Sequence, residues 1–215
     1  ELNKLKKKNI SITDYHRNTL KEFLDLIGIP YYQAPEEADV ICNSLIKMNK
    51  INVVLSDDMD LLVNGTHHLF RNFNVSSNKI MHYDLNSILT LLDLTHEQWI
   101  DFCILSGCDY CSRIPGIGIK HAYKYIKEYK TIENIIAFLH TKIPDKIPPN
   151  YLTTFNNAKS IYLKIDTNID LENIKLELNY DNTKRNKALE FLNTHTNLTL
   201  KQIENRLKII SLHAK

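Results

Sequence analysis

The chain has 215 residues, of which 43% are hydrophobic and 24% are charged, and its net charge is +2. This composition excludes a low-complexity or fibrous chain. The sequence contains no apolar run long enough to span a membrane, and it does not open with a signal-peptide pattern. We therefore expect an intracellular globular protein, and the four unevenly spaced cysteines favour a reducing compartment over a disulfide framework.

The first sixty residues alternate between helical and extended patterns. Apolar residues at helical spacing precede Gly28, and we predict strands over residues 29–32 and 51–55 with a helix over residues 35–49 between them. The second predicted strand is β-branched and almost wholly apolar, as strands inside a parallel sheet are. This alternation predicts an α/β fold with a mainly parallel sheet flanked by helices.

The pattern after residue 60 changes to a hairpin and then to helices. Two β-like runs, residues 68–73 and 79–83, enclose a polar turn and predict a hairpin on the sheet edge. Asp84 is placed to cap a helix over residues 85–92, and Thr95 with Gln98 predicts a capping box for a helix that ends at Gly107. The remainder is predicted to be helical, apart from an extended piece at residues 173–178.

Two groups of acidic residues flank the second predicted strand. They are Glu36, Glu37 and Asp39 before it, and Asp57, Asp58 and Asp60 after it. Open α/β sheets place their sites at the carboxyl ends of strands, and carboxylates crowded this closely must take up protons or bind cations. Their hard oxygen atoms suit Mg²⁺ or Mn²⁺.

A simpler interpretation exists for the first acidic group. Pro35 suits the first position of a helix, and acidic residues are favoured at the positive end of a helix. The second group weakens this interpretation, because Asp58 and Asp60 lie two apart at a strand exit and would project to one side. In an ideal helix Glu37 and Asp39 point nearly opposite ways, so they converge only if the first turn is distorted or if the Glu37 side chain reaches round the helix.

The segment after Gly107 combines a glycine-containing turn with lysines. Gly116 and Gly118 lie in the turn, and the lysines that follow at helical spacing are Lys120, Lys124 and Lys127. Glycine amides can approach a phosphate closely, and the helix start adds a favourable field. The segment therefore predicts a sequence-independent contact with duplex backbone, whereas the alternative is an ordinary helix connection. Further basic clusters, which alone indicate only solvated surface, are Lys4, Lys6, Lys7 and Lys8, and Lys184, Arg185 and Lys187.

Two pairs with metal-ligand character are interpreted as structural. His67 and His68 are neighbours on a predicted strand, so their side chains face opposite sides. Cys108 and Cys111 have the spacing of a zinc pair, but the sequence offers no second pair to complete four ligands. We expect surface histidines and buried thiols.

Four segments form an ordered set of motifs: Tyr-Gln-Ala-Pro-Glu-Glu-Ala-Asp at 32–39, Ser-Asp-Asp-Met-Asp-Leu at 56–61, Leu-Ser-Gly-Cys-Asp-Tyr at 105–110 and Ile-Pro-Gly-Ile-Gly-Ile-Lys at 114–120. In order and spacing they resemble the internal motifs of the flap endonuclease/XPG family of structure-specific 5′ nucleases. The resemblance extends from about Ile10 to the C-terminal helices.

The resemblance implies a set of site residues. In that family seven acidic residues hold two divalent metals, Mg²⁺ or its substitute Mn²⁺, and the positions matched here are Glu37, Asp39, Asp58, Asp60 and Asp109. Glu36 and Asp57 match no ligand position. The turn at 114–120 resembles the family's helix–two-turn–helix, which implies a K⁺ site held largely by main-chain oxygens. It also implies DNA contacts at Gly116, Gly118, Lys120 and Lys124.

The resemblance also implies the organisation of the chain. We expect residues 1–93 to hold the end of the family's helical arch, at residues 4–9, and a PIN-like α/β nuclease core. Residues 94–215 should form a helical DNA-binding region, packed as one unit, with the helix–two-turn–helix. The family's first two metal-binding aspartates and its N-terminal strand would lie before Glu1. We therefore expect a missing N-terminal segment of the same protein and an inactive 215-residue chain.

The implied activity is hydrolysis of DNA phosphodiesters by two divalent metals. The expected partner is branched DNA with a 5′ flap, which arises in replication and repair. This partner indicates a nuclear or other DNA-replication compartment. We see no motif for binding a sliding clamp. Residues 58–60 favour the flap endonuclease branch, residues 105–110 resemble 5′ exonucleases, and residues 70–73 resemble the XPG branch. The alternative from another class is a non-catalytic DNA-structure-binding protein that retains the nuclease fold.

Overall fold

The computed structural model describes residues 11–74, 76–164 and 184–213. They divide into two compact units: a mixed unit, Ala34–Ile169, and a helical unit formed by Glu1–Gln33 with Asp170–Lys215. The expected boundary between residues 93 and 94 does not coincide with this division, because helices on both sides of it share one core. The basic run at residues 4–8, the proposed arch at 4–9 and the extended piece at 173–178 lie outside the described residues.

The elements in chain order are α1 (Asp14–Ile27), α2 (Ala38–Lys47), β1 (Val54–Leu55), α3 (Asp60–Val63), β2 (His68–Asn74), β3 (Lys79–Asp84), α4 (Leu85–Leu92), α5 (His96–Ser106), α6 (Ile119–Tyr129), α7 (Ile132–Lys142), a 3₁₀ turn (Pro144–Lys146), α8 (Tyr151–Leu163), α9 (Arg185–His195) and α10 (Leu200–His213). No helix within the described ranges is long and apolar enough to cross a membrane.

The sheet of the mixed unit has three strands in the order β1-β2-β3. β1 pairs with β2 in parallel, whereas β2 and β3 form the predicted antiparallel hairpin. The expectation of a mainly parallel sheet is therefore wrong for the described residues, where the sheet is mixed. Residues 29–32 join no ladder, and Pro30 among them has no N–H to donate to one. The strand predicted over 51–55 is reduced to two residues, of which only Val54 is buried.

Local capping signals in the sequence are confirmed. The backbone N–H of Ser87 donates to Asp84 Oδ1 at 2.6 Å and begins α4. Thr95 and Gln98 form the reciprocal capping box of α5. That helix ends at Gly107, whose φ of +118° is a conformation that side chains rarely adopt. These caps satisfy backbone groups that helix ends otherwise leave without partners.

Two apolar clusters fill the mixed unit. One lies between the sheet and its flanking helices and contains Ile46, Val54, Leu61, Leu62, Leu69 and Leu85. The other is formed by the helices after residue 94 together with Val63, and Leu105, Ile126 and Phe155 are among its fully buried members. Because α3 contributes to both clusters, the segment that carries Asp60 is held by the sheet and by the helices.

The helical unit contains α1, α9 and α10. Ile27, Ala188, Ile203 and Leu207 form its buried centre. The rings of Phe23 and Phe191 stack beside them with centroids 5.8 Å apart. The predicted helix before Gly28 is confirmed, and Phe23, Leu24 and Ile27 pack in this unit, whereas Leu20 is 57% exposed. Thr13 forms a capping box at the start of α1, with His16 in place of the usual acid or amide.

A partly buried ion pair joins α5 to α8 in the mixed unit. Lys159 Nζ lies 2.8 Å from Asp101 Oδ1 and 3.0 Å from Glu97 Oε1. The Asp101 side chain is only 6% exposed, and burial raises the pKa of its carboxyl. A buried carboxylate without its cation is strongly destabilising, so Lys159 compensates a charge that the helix pair encloses.

We predict that Lys159→Met lowers the free energy of unfolding by roughly 3 kcal/mol, because it leaves Asp101 buried without a cation. The further change Asp101→Asn should restore at least half of that loss, since the buried charge is then gone. Urea unfolding followed by circular dichroism measures both effects, with the exposed Lys146→Met as the control. Equal stabilities of Lys159→Met and the control would show that the pair does not hold α8 to α5.

Candidate active site

The five acidic residues expected to bind metal lie in four short segments of the mixed unit. Glu37 is the N-cap of α2 and Asp39 lies in its first turn. Asp58 lies in the loop after β1, Asp60 is the first residue of α3, and Asp109 follows the end of α5. Glu37 has extended backbone, so the ideal-helix objection to its convergence with Asp39 does not apply.

Asp58 and Asp60 converge through a turn rather than through strand alternation. β1 ends at Leu55, and the backbone N–H of Asp60 donates to Asp58 Oδ1 at 2.9 Å. The hydroxyl oxygen of Ser56 accepts from the backbone N–H of Asp58 at 3.1 Å. The predicted extended strand exit is therefore wrong, and side-chain-to-backbone hydrogen bonds shape this loop instead.

The carboxylates influence one another electrostatically. Burial raises the pKa of Asp39, and the charges of Asp58, Asp60 and Glu37 raise it further. Burial also raises the pKa of Asp60; a hydrogen bond from Tyr162 opposes this rise, while Asp58 and Asp109 add to it. All five predicted residues thus belong to one connected group of negative charge.

The group is broad rather than tight. Within the described residues, no three of these five carboxylates bring one oxygen each within 4.8 Å of one another. None of the five takes part in an ion pair of the described residues. Hard oxygen donors with uncompensated negative charge fit divalent cations such as Mg²⁺. The donor set therefore fits the metals that the sequence implied.

The neighbouring acids that match no ligand position have other partners. Glu36 Oε2 pairs with Lys164 Nζ at 2.5 Å. Asp57 Oδ1 accepts from the backbone N–H of Asn72 at 2.9 Å, and Arg71 Nη2 donates to the backbone carbonyl of Asp57 at 2.6 Å. Each acid pair in the two motifs thus contains one residue tied to the scaffold and one that belongs to the carboxylate group.

Tyr162 is a site residue that sequence reasoning missed. Its hydroxyl donates to Asp60 Oδ2 at 3.1 Å, and the residue is only 2% exposed. The ring of Tyr110 packs edge-on against it, with centroids 5.4 Å apart. The one signal in the sequence was the helical stripe of α8, which carries the phenol at its end. The stripe consists of Tyr151, Phe155, Ala158 and Tyr162.

The glycine turn presents an open backbone. Ile114 and Ile117 are buried and anchor the turn, whereas a Cβ at Gly116 or Gly118 would meet no atom within 4 Å. Gly116 has a φ of +88°, so a side chain there would strain the backbone. Gly118, the N-cap of α6, has a φ of −113°, which any residue adopts. Packing therefore does not require glycine at residue 118.

Two of the three lysines on α6 are exposed. Lys120 and Lys124 lie one turn apart and form no ion pair among the described residues. Lys127 instead pairs with the carboxylate of Asp93, and Lys127 Nζ also donates to the backbone carbonyl of Asp93 at 2.9 Å. The basic surface beside the turn therefore comprises Lys120 and Lys124 only. In the helical unit, Lys184, Arg185 and Lys187 are also exposed.

The cysteines behave as packed thiols. Cys108 and Cys111 face each other across a single β-bridge in the turn that carries Asp109. Burial raises the pKa of Cys111 and, more strongly, that of Cys103. Cys111 is buried in the helical core and Cys108 packs against that core half-buried, so both thiols contribute to its packing.

Comparisons with known proteins agree on one family. The XPG I-region model matches residues 28–109. Flap endonuclease 1 of Entamoeba histolytica is 39% identical over 179 residues, which cover 82% of this chain and 46% of that protein. Flap endonuclease 1 of Danio rerio is 32% identical over 213 residues, covering 98% and 54% respectively. The chain thus spans about half the length of the curated relatives it matches.

Solved structures have the same fold. Flap endonuclease-1 from Methanococcus jannaschii has a TM-score of 0.72 at 22% identity, covering 93% of this chain and 58% of that one. The catalytic core of Rad2 in complex with DNA substrate has a TM-score of 0.75 at 21% identity, covering 97% and 74%. Junction-resolving GEN1 bound to product DNA and Mg²⁺ has a TM-score of 0.62 at 19% identity, covering 86% and 51%.

The chain therefore has the α/β fold class of these nuclease cores. Within that class, the chain belongs to the flap endonuclease/XPG family. The resemblance inferred from the four motifs is thereby confirmed.

We predict that Tyr162→Phe shifts metal binding to higher pH. Tyr162 opposes the burial-induced rise in the pKa of Asp60, so its loss raises that pKa further, and more alkaline conditions are needed to ionise the ligand. The pH at which half of the protein binds metal should therefore be higher for Tyr162→Phe than for wild type. Calorimetric titration with Mn²⁺ across mildly acidic to neutral pH, without DNA, measures it.

Tyr110→Phe is the matched control for this measurement. Tyr110 contacts Tyr162, but its hydroxyl forms no hydrogen bond with Asp60 in the part of the chain described. An identical pH profile for wild type and Tyr162→Phe would contradict a role for this phenol in setting the ionisation of Asp60.

Proposed function

We propose that this protein is a structure-specific 5′ nuclease that hydrolyses DNA phosphodiesters with divalent metal ions. The observation that carries the proposal is the connected carboxylate group around Asp60, held by the hydrogen bond from Tyr162. The family relatives, named flap endonuclease 1, support the same activity. The proposed substrate is branched DNA with a 5′ single-stranded flap.

The group is proposed to hold two Mg²⁺ ions, which Mn²⁺ can replace. Such ions supply an activated water and stabilise the leaving oxygen in phosphodiester hydrolysis. The residues proposed to hold them are Glu37, Asp39, Asp58, Asp60 and Asp109. Tyr162 would keep Asp60 ionised and oriented, and the turn at Asp58 would fix the spacing of two ligands along the chain.

The exposed turn and α6 are proposed to contact duplex DNA. Backbone amides at Gly116 and Gly118 are unobstructed, and Lys120 and Lys124 extend the positive surface along the helix. Such contacts bind phosphates without reading sequence. We propose that the segment acts as the family's helix–two-turn–helix and holds K⁺ through main-chain oxygens. This proposal is supported by a GEN-1 structure with potassium, which has a TM-score of 0.66 at 20% identity and covers 85% of this chain and 53% of that one.

The first test compares two adjacent residues in one motif. Glu37→Gln should reduce Mg²⁺-dependent cleavage of a 5′-flap substrate by at least about 100-fold, because it removes a ligand. Glu36→Gln should leave cleavage near the wild-type rate, since Glu36 pairs with Lys164. Asp58→Asn and Asp109→Asn should behave as Glu37→Gln does. The assays use the protein expressed from its natural gene.

DNA affinity measured without metal separates catalysis from binding in these variants. All four should bind the flap substrate with near wild-type affinity, because the changes lie in carboxylates rather than in the basic surface. Cleavage that is equally fast in Glu36→Gln and Glu37→Gln would refute the site assignment. A wild-type protein that binds branched DNA but never cleaves it would favour the non-catalytic alternative.

The second test addresses the basic surface by salt titration of duplex binding. Replacing both Lys120 and Lys124 with Ala should lower the slope of log affinity against log salt by up to about two units, if each contacts one phosphate. Lys127→Ala is the control, because that lysine pairs with Asp93. Gly118→Val should weaken binding without unfolding, since its φ and its open surroundings accept a side chain.

Circular dichroism verifies that each variant is folded, and metal binding without DNA should be the same in all of them. If affinity and salt slope match those of the wild type in folded variants, this segment is only a helix connection and the duplex binds elsewhere.

A further inference from the structure

A second group of metal-ligating side chains lies on the β2–β3 hairpin. His68 Nδ1 is 3.1 Å from His82 Nε2 and 3.1 Å from Asp84 Oδ2. One ligand atom from each of the three residues lies within 4.8 Å of the other two. Among the residues the structure describes, no other group of histidine, cysteine and acidic residues meets that distance. The group shares no residue with the five carboxylates.

The strand register brings the three residues together. His68 lies directly opposite Asp84, and Phe70 lies opposite His82. Residues two apart on a strand share a face, so His82 and Asp84 both face His68. His68 therefore meets its partners across the hairpin rather than at the neighbouring His67.

Contacts outside the group hold two of its members in place. Asp84 Oδ1 accepts from the backbone N–H of Ser87 as the cap of α4, which leaves Oδ2 directed at His68. The ring of His82 packs against Phe70 with centroids 4.8 Å apart. Such supporting contacts orient metal ligands in proteins. The side chains of His68 and Asp84 are 41% and 25% exposed, so an ion can reach the group.

Hydrogen bonds among the three side chains cannot satisfy both close contacts of His68 Nδ1 at once. His68 Nδ1 is close to both His82 Nε2 and Asp84 Oδ2, yet a ring nitrogen carries at most one proton. If Nδ1 donates to Asp84, it has no second proton for His82. If Nδ1 accepts from His82, its lone pair faces the carboxylate oxygen. A cation between the three atoms satisfies all of their lone pairs at once.

We propose that His68, His82 and Asp84 form a Zn²⁺ site. Four ligands at about 2.0–2.1 Å around a tetrahedral ion lie roughly 3.3 Å from one another, close to the two separations of 3.1 Å found here. Imidazole nitrogens suit zinc and neighbouring transition metals, whereas Mg²⁺ prefers oxygen ligands alone. Three protein ligands leave the fourth position for water. The bound ion joins β2, β3 and the start of α4.

Calorimetric titration with ZnCl₂ tests the site, with excess MgCl₂ present so that the carboxylate group is occupied by Mg²⁺. Wild type should bind one Zn²⁺ per chain with micromolar or tighter affinity. His82→Ala should weaken this binding by about 100-fold or more. Removing a residue that only supports a metal ligand already costs about 10- to 100-fold, and His82 is proposed to be a ligand itself. His67→Ala is the matched control, because that exposed histidine precedes His68 in the chain but does not belong to the group of three ligands.

Asp84→Asn separates the metal site from the helix cap. Asparagine caps helices as well as aspartate does, so α4 should be retained while Zn²⁺ affinity falls. Zn²⁺ should raise the melting temperature of wild type and of His67→Ala, and leave His82→Ala unchanged. No saturable Zn²⁺ binding by wild type, or equal binding by folded His82→Ala, overturns the proposal. These readouts use neither DNA nor cleavage, so they are independent of the proposed nuclease function.

Discussion

The mixed unit depends on holding several carboxylates near a partly buried aspartate without compensating cations among the described side chains. Burial and neighbouring charges both raise the pKa of Asp39 and of Asp60, so the arrangement opposes ionisation. Tyr162 acts in the opposite direction at Asp60, and the apolar clusters around α3 supply the favourable free energy of burial. A site of this kind is destabilising by itself, and it persists because the surrounding core determines its geometry.

The position of Tyr162 in turn depends on how α8 packs. The Lys159 ion pair joins α8 to α5, and α5 ends at Gly107 directly before the turn with Asp109. A positive φ at Gly107 lets the chain leave the helix sharply, and a Cβ there would lie 2.7 Å from the Arg113 guanidinium. One helix pair thus supports both the phenol that binds Asp60 and the segment that presents Asp109.

Charges in the mixed unit fall into two groups according to their partners. Acids of similar sequence context divide into those paired with the scaffold, Glu36 and Asp57, and those that form no ion pair among the described residues. Lysines on α6 divide in the same way, because Lys127 pairs with Asp93 while Lys120 and Lys124 remain exposed. The hairpin histidines form a third chemical environment, with nitrogen ligands that favour a different metal. Net charge alone, at +2, shows none of this separation.

The sequence by itself determined the features that depend on nearby residues. The caps at Asp84 and Thr95, the β2–β3 hairpin and the ending of α5 at Gly107 all follow from short-range hydrogen bonding and backbone preference, and they were predicted correctly. The ordered motifs likewise identified the family. The short β1, by contrast, was predicted too long, because the exposure of Val53 and Leu55 depends on what packs against them.

Only the tertiary structure decided which distant side chains meet. Tyr162 reaches Asp60 across 102 positions of sequence, and His68 meets His82 through the hairpin register. The pairing of Lys127 with Asp93 spans 34 positions and removes one lysine from the basic surface. Such contacts depend on the packing of whole helices and strands, which local periodicity does not encode. Residue types therefore indicated the kinds of side chain available for a site, and packing determined which of those side chains meet.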